Sequence, residues 1–567
     1  MTLRQTQGHI ERSRNMKIKV IFLFFIFFYL AIIVRLFFLQ VIISPTYKDS
    51  PYLKTTKINS VRGRIFDRNN QPLVLNQNSY QLHLEPKKIN DKDRLIHLLS
   101  DSLEVPEASI SGRIDMSKDW LAIQGGLTQE QKDNINKLNL KSVGFDYQTK
   151  RFYPEASLSA HLLGFLGKND QSEDVGYLGL EGFYDRDLKG LPGFVETERD
   201  ILGRPILIGV QQRVEPENGR DLILTVDKTV QEISKKKLLE GLELYKAKKG
   251  CVITADPKTM AILALVCLPD YDLEKYYLFS EDYYKNSAIS DLFEPGSIFK
   301  PLIMAAGLEE KKIKPNDAYN ETGQISVGEY NIKTWNDKYE GKISMTRILE
   351  KSSNVGMVYI GEKLGNKKIY DYLEKYGFGK NTDIDLQGEV SGYLKPQANW
   401  YPIDYSTVTF GQGIAITSIQ MIRAFASIIN GGYLMRPYLV QKIVSGNKVT
   451  EIKPRIERKI IASLTSEIIK KMLISTVENA EAKWDRPKGY KIGGKTGTAQ
   501  IPIKGHYDPT KTIASFIGFA PASDPKFLTL VVLYEPKTSP WGSETAAPLF
   551  FEIAKQLIVY YNISPSQ

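Results

Sequence analysis

Apolar residues are distributed along this chain in three distinct textures. From Val20 to Val34 they run without a charge (VIFLFFIFFYLAIIV), Arg35 interrupts, and LFFLQVII carries the stretch to Ile43. As a helix, residues 20–43 would span roughly 36 Å, enough to cross a bilayer with Arg35 reaching one interface. A buried core helix normally keeps a polar face, and a cleaved signal peptide wants a short core followed by small residues. This segment has neither, so an uncleaved anchor is expected. Arg4, Arg12, Arg14, Lys17 and Lys19 precede it against Glu11 alone, while Lys48, Lys54 and Lys57 follow with Asp49 among them. That asymmetry points the amino end inward and the bulk of the chain outward.

The second texture, from about 44 to 240, alternates short strand-like stretches with lysine-rich helical segments. SYQLHLEP (79–86) and GRDLILTV (219–226) read as strands, Asp227 to Lys248 as a helix. No convergent chemistry gathers there, and the region reads as a spacer or pedestal. The third begins near Lys249. GCVITADPKTMAILALV sets two apolar runs around Asp256-Pro257-Lys258-Thr259, a β-hairpin pattern with Cys251 and Cys267 on opposite arms. The two thiols either face one another or are simply buried. A helical pattern starts at Ser297 and runs through PLIMAAGLEEKK. Strand candidates follow at 490–500, 512–520 and 527–534, then an amphipathic helix from about Ala546 to Tyr560. Two strands early, three late and helices between predict an α/β fold: one five-stranded antiparallel sheet flanked by helices, with a mainly helical insertion. The expected division is a cytoplasmic tail (1–19), an anchor (20–43), a non-catalytic pedestal (44–240) and a catalytic domain (241–567).

Composition narrows the chemistry. Of 567 residues, 42% are hydrophobic and 25% charged, the balance of a folded protein with sizeable cores. Lys and Arg exceed Asp and Glu by 75 to 65, a bias too mild to argue for nucleic acid. Two cysteines and five scattered histidines make neither a disulfide framework nor a thiolate or histidine metal centre. No metal or organic cofactor is expected, and covalent chemistry here needs a base other than histidine.

Three short motifs offer such chemistry. In FEPGSIFKP, Pro295 and Gly296 lead into a helix carrying Ser297 and, one turn on, Lys300. Residues i and i+3 share a helical face, so a neutral Lys300 amine can activate the serine hydroxyl. The same spacing at Ser234/Lys237 and Ser523/Lys526 reads as a surface helix and a polar turn. In EKSSNVGMV, Ser352 and Asn354 can both point into a cleft only from a turn or irregular loop, where hydroxyl and amide relay a proton and hold a substrate amide. The copy at Ser445-Gly446-Asn447 reads as a hairpin turn. In YKIGGKTGTAQIP, a small-residue strand bears Lys495, Thr496, Gly497 and Thr498, whose amine and hydroxyls can grip a carboxylate. Gly489, Gly494, Lys495 and Thr496 also satisfy a phosphate-loop pattern, but no strand precedes them and Gly497 and Pro502 oppose the helix that should follow.

The order Ser-x-x-Lys, Ser-x-Asn, Lys-Thr-Gly matches the signature of serine penicillin-recognising enzymes. Residues 250–565 resemble the transpeptidase domain of a class B penicillin-binding protein. VRGRIFDRNNQPL (61–73), RFYPEASLSAHLLGFLG (151–167) and GLEGFYDRDLKGLPG (179–193) resemble its pedestal boxes. DLFEPGSIFKP, EKSSNVGMVYIGEKLG and TFGQGIAIT look most like the division-specific, septal form, with the elongation-type paralogue left open. The resemblance implies a peptidoglycan D,D-transpeptidase in which Ser297 attacks a D-Ala-D-Ala stem peptide and Lys300 takes its proton. Ser352 and Asn354 relay the proton to the leaving group, backbone N–H groups of Ser297 and Thr498 form the oxyanion hole, and Lys495, Thr496 and Thr498 bind the terminal carboxylate. It further implies an inner-membrane location, β-lactams as covalent inhibitors, and partners that include a membrane glycosyltransferase and bitopic division proteins. A D,D-carboxypeptidase or β-lactamase-like hydrolase, and a division-complex scaffold, remain alternatives.

Overall fold

A computed structural model describes residues 3–42, 53–170, 173–198, 206, 211–503 and 506–565. Backbone contacts divide the chain into two units, residues 1–60 with 190–218, and residues 61–189 with 219–567.

The first unit holds the helix Leu3–Phe37, which runs on as a π-helical turn, Phe38–Ile42. Its stretch Lys19–Val41 has a mean hydropathy of 2.8 and is the one helix among the described residues long and apolar enough to cross a membrane. Ile43, Lys48 and Asp49 of the expected anchor region lie outside the described residues. The unit also contains an antiparallel sheet in the order Leu53–Ile58, Gly193–Glu198, Gln211–Val214.

In the second unit, the long strand Pro72–Leu84 pairs antiparallel with both Leu121–Leu127 and Val143–Phe152. It extends well beyond the stretch expected at 79–86. Leu82, Leu84, Ile123 and Leu127 point from these strands onto Leu95 and Leu99 of the helix Lys92–Leu103, closing a small separate core. On the sheet's other side, Asp221–Leu224 lies parallel to Ile65–Phe66 and antiparallel to Val440–Ser445. A segment from deep in the expected catalytic half therefore completes the pedestal sheet. The boundary expected at 240/241 falls inside the helix Lys228–Tyr245, which packs on the catalytic sheet. Beneath the pedestal boxes, the buried Glu181 carboxylate accepts from Arg62 Nε and Arg151 Nε, each at 2.8 Å. Burial works against its ionisation, but the Arg151 and Arg62 guanidiniums outweigh it and hold its pKa below the ordinary value.

The five-stranded sheet runs in the order Ile262–Leu268, Lys249–Ala255, Phe527–Tyr534, His506–Ala520, Gly493–Ile503, antiparallel throughout. Alternate residues face opposite layers, as the two-residue strand period demands. Val252, Phe516 and Val531 lie in one core with Phe550 and Ile553 of the helix Ala546–Tyr560 and Leu238 of Lys228–Tyr245. Ile253, Ile517 and Leu530 belong to the other, with the helix Ser418–Ile429, every residue of which is buried. All eight residues of Phe527–Tyr534 are buried too, which is why that strand reads as an unbroken apolar run.

Cys251 and Cys267 are register partners on the first two strands and are joined by a disulfide. The buried-thiol alternative does not hold, because directly opposed strand positions bring the two sulfurs together. The insertion is mainly helical, with small hairpins such as Ala318–Glu321 against Gly341–Ser344. Ser445 and Lys448 pair across Gly446-Asn447, so that decoy is a hairpin turn.

Candidate active site

The chain enters the site through Gly296, whose φ of +57° a side chain would strain and whose added Cβ would lie 3.0 Å from the Thr498 carbonyl oxygen. This contact seats the Ser297 turn against the edge strand of the sheet. Gly296–Phe299 form a 3₁₀ turn, and the α-helix begins only at Lys300 and runs to Glu309. The α-helix expected from Ser297 is thus one turn late: Pro301, which lacks an N–H, sits in its first turn.

Every helix residue from Lys300 to Leu308 is buried, so the Lys300 amine opens onto protein rather than water. Its Nζ donates to Ser352 O (2.6 Å) and Asn354 Oδ1 (2.8 Å) and meets the Ser352 hydroxyl at 3.1 Å. The shared face with Ser297 had suggested that hydroxyl as its partner; the second motif holds it instead. Burial pushes the Lys300 pKa well below the ordinary value of 10.5, and the nearby Lys495 cation pushes the same way. Lys495 is also buried, which lowers its pKa to about 7. Its hydrogen bonds go to Thr496 O and Thr496 Oγ1, each at 3.2 Å.

The second motif is a strained turn, as the one-residue spacing of Ser352 and Asn354 required. Ser352 has φ +59°, a left-handed conformation costing a non-glycine residue on the order of 1–3 kcal/mol. Ser353 caps the helix Asn354–Leu364, its Oγ accepting from Gly356 N at 2.9 Å, and Asn354 is that helix's first residue. Two outside bonds steady the turn: Trp335 Nε1 donates to Lys351 O (3.1 Å) and Asn354 Nδ2 to Lys333 O (2.9 Å).

The third motif occupies the edge strand Gly493–Ile503, a strand and not a phosphate loop. An added Cβ at Gly497 would lie 2.3 Å from Ser515 Oγ and 3.0 Å from Ile298 of the Ser297 turn. Only glycine lets the three pieces approach so closely. Thr498 Oγ1 accepts from Gly542 N at 2.9 Å.

Ser297, Ser352, Asn354, Thr496, Gly497 and Thr498 line one cleft of about 370 Å³. Lys300 reaches it through its bonds to Ser352, and Lys495 through its bonds to Thr496. All the residues singled out from sequence therefore gather at one place. The decoys do not: Ser234 is buried inside its helix, Lys237 pairs with Glu240, and Lys526 pairs with Asp524 in a turn. Sequence reasoning missed Trp335 and Trp541, which also line the cleft with ring centroids 5.2 Å apart, and it missed Gly542. All three sit in loops whose local pattern carries no signal.

Residues 250–555 match the penicillin-binding protein transpeptidase domain family, and residues 57–224 match the penicillin-binding protein dimerisation domain family. Stage V sporulation protein D of Bacillus subtilis (strain 168) is 32% identical, the alignment covering 96% of this chain and 86% of that protein. Peptidoglycan D,D-transpeptidase FtsI of Escherichia coli (strain K12) is 28% identical over 91% of this chain and 86% of its own length. A peptidoglycan synthetase from Bifidobacterium adolescentis superposes with a TM-score of 0.73 at 26% identity, covering 91% of this chain and 98% of that one. Penicillin Binding Protein 2X from Streptococcus thermophilus gives the same TM-score at 23% identity over 89% and 80%, a likeness of fold. With its sheet, cleft and paired domains so matched, the chain belongs to the class B penicillin-binding proteins and is a serine-type peptidoglycan D,D-transpeptidase.

Proposed function

We propose that this enzyme works through a Ser297 acyl-enzyme. The observation that carries the reading is the Lys300 amine, buried, without a carboxylate partner among the described residues, and 3.1 Å from Ser352 Oγ beside Ser297 in one cleft. Burial, and then the Lys495 cation, both favour the neutral amine, the form that can accept a proton. Ser297 attacks the penultimate D-Ala carbonyl of a stem peptide, and its proton passes to Lys300. Backbone N–H groups of Ser297 and Thr498 hold the oxyanion. Ser352 and Asn354 carry the proton to the departing D-Ala and orient the ester. Lys495, Thr496 and Thr498 bind the terminal carboxylate, and Gly497 lets the peptide backbone lie against the strand. An amine from a neighbouring stem peptide then resolves the ester into a crosslink. A β-lactam enters the same cleft and stops at the acyl stage.

The finer readings rest on the sequence boxes and the apolar helix. The protein is anchored once through 20–43, with 1–19 cytoplasmic, a pedestal over 44–240 and the transpeptidase domain over 241–567 outside. It serves septal wall synthesis, contacting a membrane glycosyltransferase and bitopic division proteins through anchor and pedestal.

The test is an intact-mass measurement of the full chain with penicillin, followed by peptide mapping. One adduct on Ser297, absent from Ser297→Ala, is expected; an adduct elsewhere overturns the assignment. Incubation with donor and acceptor peptides, scored for dimer against free acid, separates crosslinking from hydrolysis.

A further inference from the structure

One carboxylate grips the turn that carries Ser352. Glu321, buried at the end of the strand Ala318–Glu321, accepts at Oε1 from Ser353 Oγ (2.5 Å) and at Oε2 from Lys351 Nζ (2.8 Å). Its two oxygens thus hold the two residues that flank Ser352. Lys351 is as buried as Glu321 and makes a further bond to the Lys338 carbonyl oxygen at 2.9 Å. Ser352, between the two tethers, is the residue at φ +59°. Both its carbonyl oxygen and its hydroxyl meet Lys300 Nζ, as does Asn354 Oδ1 just beyond.

We propose that Glu321 and Lys351 are positioning residues for acylation: one carboxylate bonded to both neighbours of Ser352 holds the left-handed turn that aims Ser352 and Asn354 at the Lys300 amine. A dry ion pair is a weak source of stability, since an apolar replacement of similar volume is often neutral or better. What the pair supplies here is direction. Relaxed to an ordinary backbone conformation, Ser352 would swing its hydroxyl and carbonyl together away from Lys300, and small misplacements of reacting groups are costly. No hydrogen bond or ion pair among the described residues joins Glu321 or Lys351 to Lys495–Thr498, and Lys351, though it lines the cleft, is buried with its amine on Glu321, so the effect is expected on acylation rather than on binding. The inference rests on Ser297 and Lys300 being the acylating pair.

The experiment follows penicillin acylation of the full chain by rapid mixing, separating the binding constant from the acylation rate constant. In Glu321→Leu with Lys351→Met, which leaves no orphan charge, the rate constant is expected to fall roughly tenfold or more while binding stays within about twofold. The urea midpoint and the final labelling of one Ser297 per chain are expected to hold. Ser353→Ala, which cuts only the Oε1 tether, is expected to slow acylation in the same way by a smaller factor, and Lys351→Arg to retain more activity than Lys351→Met. An unchanged rate constant in a folded double variant, or in Ser353→Ala should the double variant not fold, overturns the proposal. So does a slowing matched by weaker binding and incomplete final labelling, which marks general damage. Wild-type labelling at a residue other than Ser297 would instead remove the acyl-enzyme reading beneath it, and the peptide map tells the two failures apart.

Discussion

Lys300 Nζ lies 2.6 Å from the carbonyl oxygen of Ser352 and 3.1 Å from its hydroxyl, although 52 residues separate the two in the chain. The amine that the first motif contributes is thus held by the second, inside a helix end from which water is excluded.

The two buried amines set the pH dependence. On the proposed mechanism acylation needs neutral Lys300, so its rate is expected to rise with pH through a pKa well on the acid side of 10.5. The proposed carboxylate capture needs charged Lys495, whose pKa burial lowers to about 7, so the second-order constant is expected to decline on the alkaline side from near that value. The two groups interact, and the limbs of the bell belong to the pair. Lys495→Arg, charged throughout, is expected to remove the alkaline limb; a limb that stays in place assigns it elsewhere. Both pKa values are lowered by folding, so unfolding takes up protons, and stability rises with pH from about 7 to the unfolded lysine value near 10.4. Urea midpoints across that window, compared with those of Lys495→Met, give the check.

Gly542 packs against the strand Gly493–Ile503 at Gly497 and Thr498. An added Cβ would lie 2.1 Å from the Gly497 carbonyl oxygen and 2.6 Å from that of Ser515, and backbone cannot rotate away. Gly542→Ala is expected to cost about 1–3 kcal/mol by overpacking. It should also weaken penicillin capture, because the Gly542 N–H bonds Thr498 Oγ1. Acylation kinetics with a urea melt test both; wild-type kinetics in the variant would show that the strand yields freely.

The Cys251–Cys267 bridge closes a short loop, the two residues being 16 apart in sequence. On chain entropy alone, such a loop stabilises the fold by about 3 kcal/mol. Replacing both cysteines with alanine is expected to lower the urea midpoint accordingly without removing the penicillin adduct. Intact mass under non-reducing conditions, two hydrogens below the reduced chain, checks the bridge itself.

The elements best read from sequence are those whose neighbours in space are also uniform. Phe527–Tyr534 is covered on both faces, and an unbroken apolar run announces it. Ala546–Tyr560 packs one face on the sheet and shows the matching helical period. The three motifs were legible because each carries chemistry in adjacent residues. What stayed hidden is decided by partners far away. The pairing of Asp221–Leu224 with Val440–Ser445 leaves no local trace, nor does the bond that Ser353 donates to Glu321. The late start of the helix after Ser297 goes with Pro301 in its first turn, whereas the seat of Gly296 against Thr498 is a contact that no periodicity in FEPGSIFKP encodes.

That pairing of Asp221–Leu224 with Val440–Ser445 also limits how the molecule can be divided. A fragment beginning at residue 241 would keep only the last residues of the helix Lys228–Tyr245 and leave Val440–Ser445 with one unsatisfied side. Bare strand edges recruit other chains. Fragments for inhibitor work therefore need Asp221–Leu224 retained along with the transpeptidase domain.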